Sequence, residues 1–246
     1  GPTGSGKTTT LYGALSEINS VEKNIITIED PVEYQLDVTG QIQVNPKIDL
    51  SFATGLRSIL RQDPDVIMVG EIRDSETARI AIQAALTGHL VLSTLHTNDS
   101  FSAVTRLLDM GIEPFLVSSS VIGVLAQRLV RKVCRRCAQR VAAVDSGLAE
   151  LGLGYMLGDS DELRVAGSGC EACRNSGYSG RTAIHELLLI DDTVRSYIMQ
   201  RTDAATIREI CVGRGMPTIR DDGASKVRSG ETTVAEILRV TSADLE

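Results

Sequence analysis

The chain counts 246 residues, and 25 Lys and Arg against 32 Asp and Glu give a formal net charge of −7. That length holds one large domain or two smaller ones, each with its own core, while the acidic balance argues against a nucleic-acid coat protein, which carries a broad basic excess. Hydrophobic residues make up 42%, but aromatics only 3% with no Trp, so the core is aliphatic and little is available to stack on bases.

Residues 1 to 8 read Gly-Pro-Thr-Gly-Ser-Gly-Lys-Thr, a full match to G-x-x-x-x-G-K-[ST] and no signal peptide. Gly4 and Gly6 let the main chain curl so that consecutive N–H groups face phosphate oxygens. The helix predicted from Lys7 to about Ile18 points its positive end at the same anion. In such a loop Lys7 reaches the β- and γ-phosphates and Thr8 places its hydroxyl on Mg2+. Gly1, Gly4, Ser5, Gly6, Lys7, Thr8 and Thr9 are therefore the candidate nucleotide-binding residues, with Mg-ATP as ligand. Gly1 opens both chain and motif. The strand that feeds such a loop is expected upstream, the chain reads as a fragment, and its own nucleotide affinity is expected to suffer.

Ile25-Ile26-Thr27-Ile28, Val66-Ile67-Met68-Val69 and Leu90-Val91-Leu92 are apolar at almost every position, as strands buried on both faces of a parallel sheet are. Helices are predicted between them: one after Asp49 to Ser51 spanning Leu56, Ile59 and Leu60, and one from Asp74 or Ser75 to a stop at Gly88. The alternation predicts an α/β fold with a largely parallel sheet. Glu29-Asp30-Pro31-Val32-Glu33 follows the first strand and Gly70-Glu71-Ile72-Arg73-Asp74 the second. Strand C-termini line the nucleotide site in such sheets, so one cluster supplies a metal holder and the other a group that orients or deprotonates water. Glu71 stands where Asp is usual. Solvated loop acids are the competing reading, most of all for Glu29 and Asp30 singly. His89 and His96 bracket the third strand; His96, at the nucleotide-facing edge, reads as a phosphate sensor, and His89, at the other end, stays open.

Pro114 to Arg128 reads as an apolar core helix, and its Pro114–Ala126 stretch, broken by Ser118, Ser119 and Ser120, falls short of the ~20 apolar residues that span a bilayer. From Arg131 the texture turns rich in Cys, Arg, Gly and Ser. Cys134-x-x-Cys137, 32 further residues, then Cys170-x-x-Cys173 suit a closed tetrahedral Zn2+ shell with a structural role. A redox pair, the rival reading, opens a helix after a strand, and neither pair clearly does so. Arg131, Lys132, Arg135 and Arg136 would offset the thiolate charge. Thiols without an export signal indicate the cytoplasm, and Cys211, beside Ile210 and Val212, reads as core. From Arg181 the pattern is mostly helical, with a Gly230 stop and a Thr233-x-x-Glu236 capping box opening the last helix.

Together these elements resemble the secretion ATPase superfamily of type II secretion, type IV pili and conjugation. Its Walker A loop, Asp box, Walker B and His box correspond to residues 1–8, Ile26 to Glu33, Val66 to Glu71 and Thr87 to Asp99; the run from Arg61 to Asp74 is characteristic. The fold expected is a RecA-like P-loop NTPase core over residues 1–130, a small tetracysteine zinc-binding subdomain over 131–180 and a C-terminal helical subdomain over 181–246. The resemblance implies Glu33 as general base, Glu71 as the acid near Mg2+, and His96 and His89 as His-box residues. Gly177 to Leu188, with His185 before Glu-Leu-Leu, leans toward the type II secretion branch. The same resemblance implies a hexameric ring that hydrolyses ATP to push pseudopilus assembly, cytoplasmic and peripheral at the inner membrane. Family N-terminal domains, outside this sequence, dock the membrane platform and lend arginines to the site. Pilus extension and a nucleotide-binding scaffold with little hydrolysis are the alternatives; a DNA motor conflicts with the acidic balance. Arg57, Arg61, Arg73 and Arg128 are inter-subunit candidates or surface salt-bridge partners.

Overall fold

A computed structural model describes residues 1–19, 22–37, 39–142 and 162–241. The chain divides into two compact units: Gly1, Lys7–Val124 and Leu188–Glu209 form the first, and Pro2–Gly6, Leu125–Leu187 and Ile210–Glu246 the second.

In the first unit β1 (Ile25–Glu29), β2 (Gly40–Gln43), β3 (Val66–Val69) and β4 (Leu90–Ser93) form a four-stranded sheet in the order β2-β1-β3-β4, every adjacent pair parallel. β1 and β3 are buried at every position, which is why their sequences show no polar alternation. Alternation survives instead in which helix each side chain meets. Ile26, Ile28, Ile67 and Val69 pack with Leu56 and Ile59 of α2 (Phe52–Ile59) and with Ala81 and Ala84 of α3 (Ser75–Leu86). Ile25, Val66 and Met68 pack with Tyr12 and Leu15 of α1 (Lys7–Ile18). Thr27 and Glu29 share the parity of Ile25, so they project on the α1 side. Truncating a residue such as Ile28 to Ala in this core costs about 2–5 kcal/mol.

The register sets the strand ends level: Glu29 lies opposite Gln43, Ile28 opposite Val69, and Val69 opposite Ser93. Helix starts are fixed by side chains. Ser51 Oγ accepts from Thr54 N–H (3.2 Å), Asp74 Oδ1 from Thr77 N–H (2.8 Å), and at α4 (Ser100–Asp109) Asp99 Oδ1 accepts from Ser102 N–H (2.6 Å). Such caps each contribute about 1 kcal/mol.

The single helix expected over residues 114–128 is corrected. α5 (Pro114–Ser120) stops early, Val121 is extended, and β5 (Gly123–Val133) follows. The serines supply the reason. Ser118 and Ser120 hydroxyls bond back to the carbonyls of Phe115 (3.1 Å) and Leu116 (2.7 Å), and the β-branched Val121-Ile122 pair with Gly123 then favours extended chain. α6 (Asp192–Met199) packs beside α5, with Arg195 Nε donating to Ser118 O (3.1 Å).

In the second unit β5 pairs with β8 (Tyr178–Leu189), and β6 (Gln139–Ala142) pairs antiparallel with β7 (Glu162–Val165). Residues 181–189, expected to open a helical region, therefore complete a strand; helices begin at α6 and continue through α7 (Ala204–Gly213), α8 (Ile219–Arg228) and α9 (Val234–Thr241). Val130, Leu163 and Ile184 pack with Ile219, Ala224 and Val227 of α8 and Val234 and Ile237 of α9. Gly230, at φ 72°, follows the end of α8 as expected. Thr233 accepts from Glu236 N–H (3.3 Å) at the start of α9. Glu236, 1% exposed, serves elsewhere: its carboxylate takes Arg131 N–H (3.0 Å), Arg131 Nη2 (2.5 Å) and both Nε and Nη2 of Arg239 (3.0 and 2.9 Å). Burial pushes this carboxyl up, but those donors outweigh it and hold it at about 2. Among the described residues no helix is long and apolar enough to cross a membrane.

Candidate active site and cysteine centre

The carboxyl edge of the sheet gathers the acids flagged in the sequence, and it sorts them. Glu29, at the end of β1, is 2% exposed and accepts from Tyr12 Oη, Thr27 Oγ1 (2.5 Å) and Gln41 Nε2 (3.1 Å). A carboxylate so enclosed is an anchor within the fold. Glu33 lies four residues on in the exposed loop, where its backbone N–H donates to Tyr12 Oη (3.3 Å).

Glu71 follows Gly70 at the end of β3, its side chain only 12% exposed. One oxygen takes Arg73, and the other lies 3.3 Å from His96 Nε2. The two strand ends are laced together beneath this pair: Ser93 Oγ donates to Val69 O (2.8 Å), Thr94 Oγ1 to Gly70 O (2.7 Å), and Ile72 N–H to Thr94 O (3.0 Å). Asp74, from the same acidic cluster, is the α3 cap. Asp30 adds a weaker charge attraction to the Arg73 guanidinium, behind that of Glu71. His89 stands apart from this group, its Nδ1 2.9 Å from Ala84 O and 3.1 Å from Thr87 Oγ1 at the C-terminus of α3.

The phosphate-type loop has the curl its glycines allow. Gly4 (φ 77°) and Gly6 (φ 87°) are left-handed, and Ser5 N–H donates to Pro2 O (3.3 Å). In the second unit Gln127 of β5 donates from Nε2 to Ser5 O (2.7 Å), and a Cβ at position 6 would come within 2.9 Å of that nitrogen. The left-handed backbone is what favours glycine there. Ser5 is 3% exposed, and its hydroxyl is a buried oxygen without a partner, as expected of a group arranged for a ligand oxygen. In the first unit Lys7 Nζ donates to Gly1 O (2.7 Å) and Gly1 N to Leu95 O (3.1 Å), the residue before His96. Thr8 and Thr9 are exposed in the first turn of α1.

The arginine candidates separate too. Arg57 pairs with exposed Glu76 (2.5 Å), Arg73 pairs with Glu71, and Arg128 is buried.

Cys134, Cys137, Cys170 and Cys173 converge so that all four sulfurs lie within 4.8 Å of one another. Three separations are 3.8 Å (Cys134–Cys170), 3.8 Å (Cys137–Cys173) and 3.7 Å (Cys170–Cys173). Disulfides require about 2.05 Å, whereas a tetrahedron with Zn–S bonds of about 2.3 Å has edges of about 3.8 Å. The donor set fits a metal. Arg136 and Cys137 N–H groups lower the Cys134 thiol; burial opposes ionisation of Cys173, but N–H groups of Cys170 (3.2 Å) and Gly177 (3.3 Å) bring it to about 6. Burial and the neighbouring sulfurs push Cys137 up to about 12. Arg131, expected to offset thiolate charge, is engaged by Glu236 and lies 4.1 Å over the Tyr178 ring. Cys211 is buried, as expected of a core residue.

Sequence reading missed Tyr12 and Gln127. Tyr12 carried one signal, an aromatic ring in a chain with few of them; Gln127 carried none.

The family described as type II/IV secretion system protein matches residues 1–239. The chain is 58% identical over 241 residues to Type II secretion system protein E of Dickeya dadantii, covering 98% of this chain and 47% of that protein. It is 55% identical over 245 residues to Type II secretion system ATPase E of Vibrio cholerae, again covering 98% and 47%. It therefore spans about half the length of these relatives. Among solved structures it resembles the pilus retraction motor PilT with bound ADP, at TM-score 0.70 and 29% identity over 98% of this chain and 59% of that one. With a parallel sheet, a phosphate-type loop and acids at the strand ends, the chain has the α/β fold of these ATPases and belongs to the type II/IV secretion system protein family.

Proposed function

We propose that this chain is the Mg-ATP-hydrolysing part of a type II secretion motor, a RecA-like P-loop core with a tetracysteine zinc-binding subdomain and a C-terminal helical subdomain. The observation that carries the reading is the meeting of Glu71 and His96 at the carboxyl edge of the sheet, the edge that also bears the Glu33 loop. Gly1, Gly4, Ser5, Gly6, Lys7, Thr8 and Thr9 bind the triphosphate, Lys7 bearing on the β- and γ-phosphates. Thr8 and Glu71 hold Mg2+, which when bound neutralises phosphate charge. Glu33 accepts the proton of the attacking water. His96 registers the γ-phosphate through Glu71. Cys134, Cys137, Cys170 and Cys173 hold Zn2+ as a closed structural centre.

In the whole protein this engine works as a homo-oligomeric ring, hexameric, in the cytoplasm and peripheral at the inner membrane. There it partners the platform proteins, drives pseudopilus assembly and uses no nucleic acid. The likeness to a pilus motor supports a second reading, type IV pilus extension. A deletion strain that loses secretion but keeps its pili supports the first reading, and the converse the second. The test of hydrolysis is Glu33→Gln in the full-length protein: ATP binding persists while turnover falls roughly 10²–10⁴-fold. Unchanged turnover would overturn the reading of Glu33 as base, and secretion left intact despite lost turnover would favour a nucleotide-binding scaffold.

A further inference from the structure

We infer that Tyr12 is a positioning residue that sets the backbone of Glu33 from the helix beginning at Lys7. The inference rests on the reading of Glu33 as the base. Tyr12 is fully buried in α1, five residues beyond Lys7, with its ring edge-on to Tyr34 at a centroid distance of 4.6 Å. Its hydroxyl donates to Glu29 and accepts from Glu33 N–H (3.3 Å). The polarity is forced, because a carboxylate only accepts and a main-chain N–H only donates. Burial and the Glu29 carboxylate push the phenol up to about 12, so it keeps its proton. Glu29 is held in turn by Thr27 and Gln41.

The same loop is braced from the sheet by β2. Gln43 Oε1 takes Val32 N–H (3.2 Å), Gln41 Oε1 takes Leu36 N–H (2.8 Å), and Gln41 Nε2 donates to Tyr34 O (3.3 Å). Tyr12 differs in its origin: it rides on the helix whose first turn carries Lys7 and Thr8. A shift of that turn when phosphate is gripped moves the hydroxyl that holds Glu33, so the base is placed by the same element that binds substrate.

Tyr12→Phe keeps the ring and removes this tie. In the full-length protein we expect kcat to fall roughly 10- to 100-fold, as misplacement of a catalytic group by about 1 Å does, while KM for ATP changes by less than about threefold. Added to Glu33→Gln, Tyr12→Phe should lower kcat no further, since a base that is absent cannot be misplaced; a purely structural defect would add to it. If Tyr12→Phe leaves Glu29 too poorly satisfied to fold, Tyr12→Phe with Glu29→Gln removes charge and donor together and should show the same fall in kcat. A folded Tyr12→Phe or paired variant with wild-type kcat overturns the inference. Wild-type kcat in Glu33→Gln alone overturns the base reading, and the inference with it.

Discussion

His96 Nε2 lies 3.3 Å from Glu71 Oε2, tying the end of β4 to the acid at the end of β3. Arg73 occupies the other oxygen, so Glu71 is shared between a residue of its own loop and one from the segment that follows β4. Glu71→Gln is expected to lower turnover by roughly 10²–10³-fold, the scale of losing one electrostatic group in a site, and to raise the Mg2+ concentration needed for half-maximal rate. His96→Ala should lower turnover with less change in Mg2+ requirement. Titration of rate against Mg2+ for both variants separates metal holding from phosphate sensing.

Zinc analysis tests the cysteine centre independently of hydrolysis. The sulfur separations predict one Zn2+ per chain, and Cys134→Ser or Cys173→Ser should lower that content. Structural zinc binds with about 10–16 kcal/mol of free energy in small domains. A strong chelator should therefore lower the thermal midpoint clearly. Full metal content in Cys173→Ser would count against a four-thiolate shell.

Acid stability should report on Glu236. Its folded value of about 2, against 4.5 ordinarily, is a depressed carboxyl. Such a group stabilises fully above about pH 4.5, and the contribution, roughly 3 kcal/mol, is lost as pH falls toward 2. Glu236→Gln is expected to lower stability near neutral pH and to flatten the decline between pH 4.5 and 2. Denaturant melts across that window check it; parallel curves for the two proteins would contradict the assignment.

The parts legible in the sequence are those whose cause is local. The helix from Lys7 to Ile18, the two fully buried strands β1 and β3, the stop near Gly88 and the spacing of four cysteines each depend on a few adjacent residues. Glu71 and His96 were legible because strand ends in such a sheet face one edge. β2 was not, since Gly40-Gln41-Ile42-Gln43 is a short, half-polar edge strand. The strand after Ser120 is not legible either, because the apolar character of those residues says nothing of the break that serine back-bonding and β-branching produce. Tyr12 could not be placed either. Its hydroxyl meets Glu29 only because residues 25, 27 and 29 turn one face of the sheet toward α1, a fact of register. Glu236 looked like half of a capping box, and its commitment to Arg131, 105 positions away, is a tertiary contact that local pattern does not contain.

The proposed hydrolysis stands or falls on whether the loop ending in Lys7 and Thr8 binds a triphosphate. Lys7→Ala in the full-length protein, assayed for both ATP binding and steady-state Mg-ATP hydrolysis, decides it. Loss of both is expected, with turnover down by about 100-fold or more. A Lys7→Ala protein that still hydrolyses ATP at the wild-type rate would contradict the assignment of that loop.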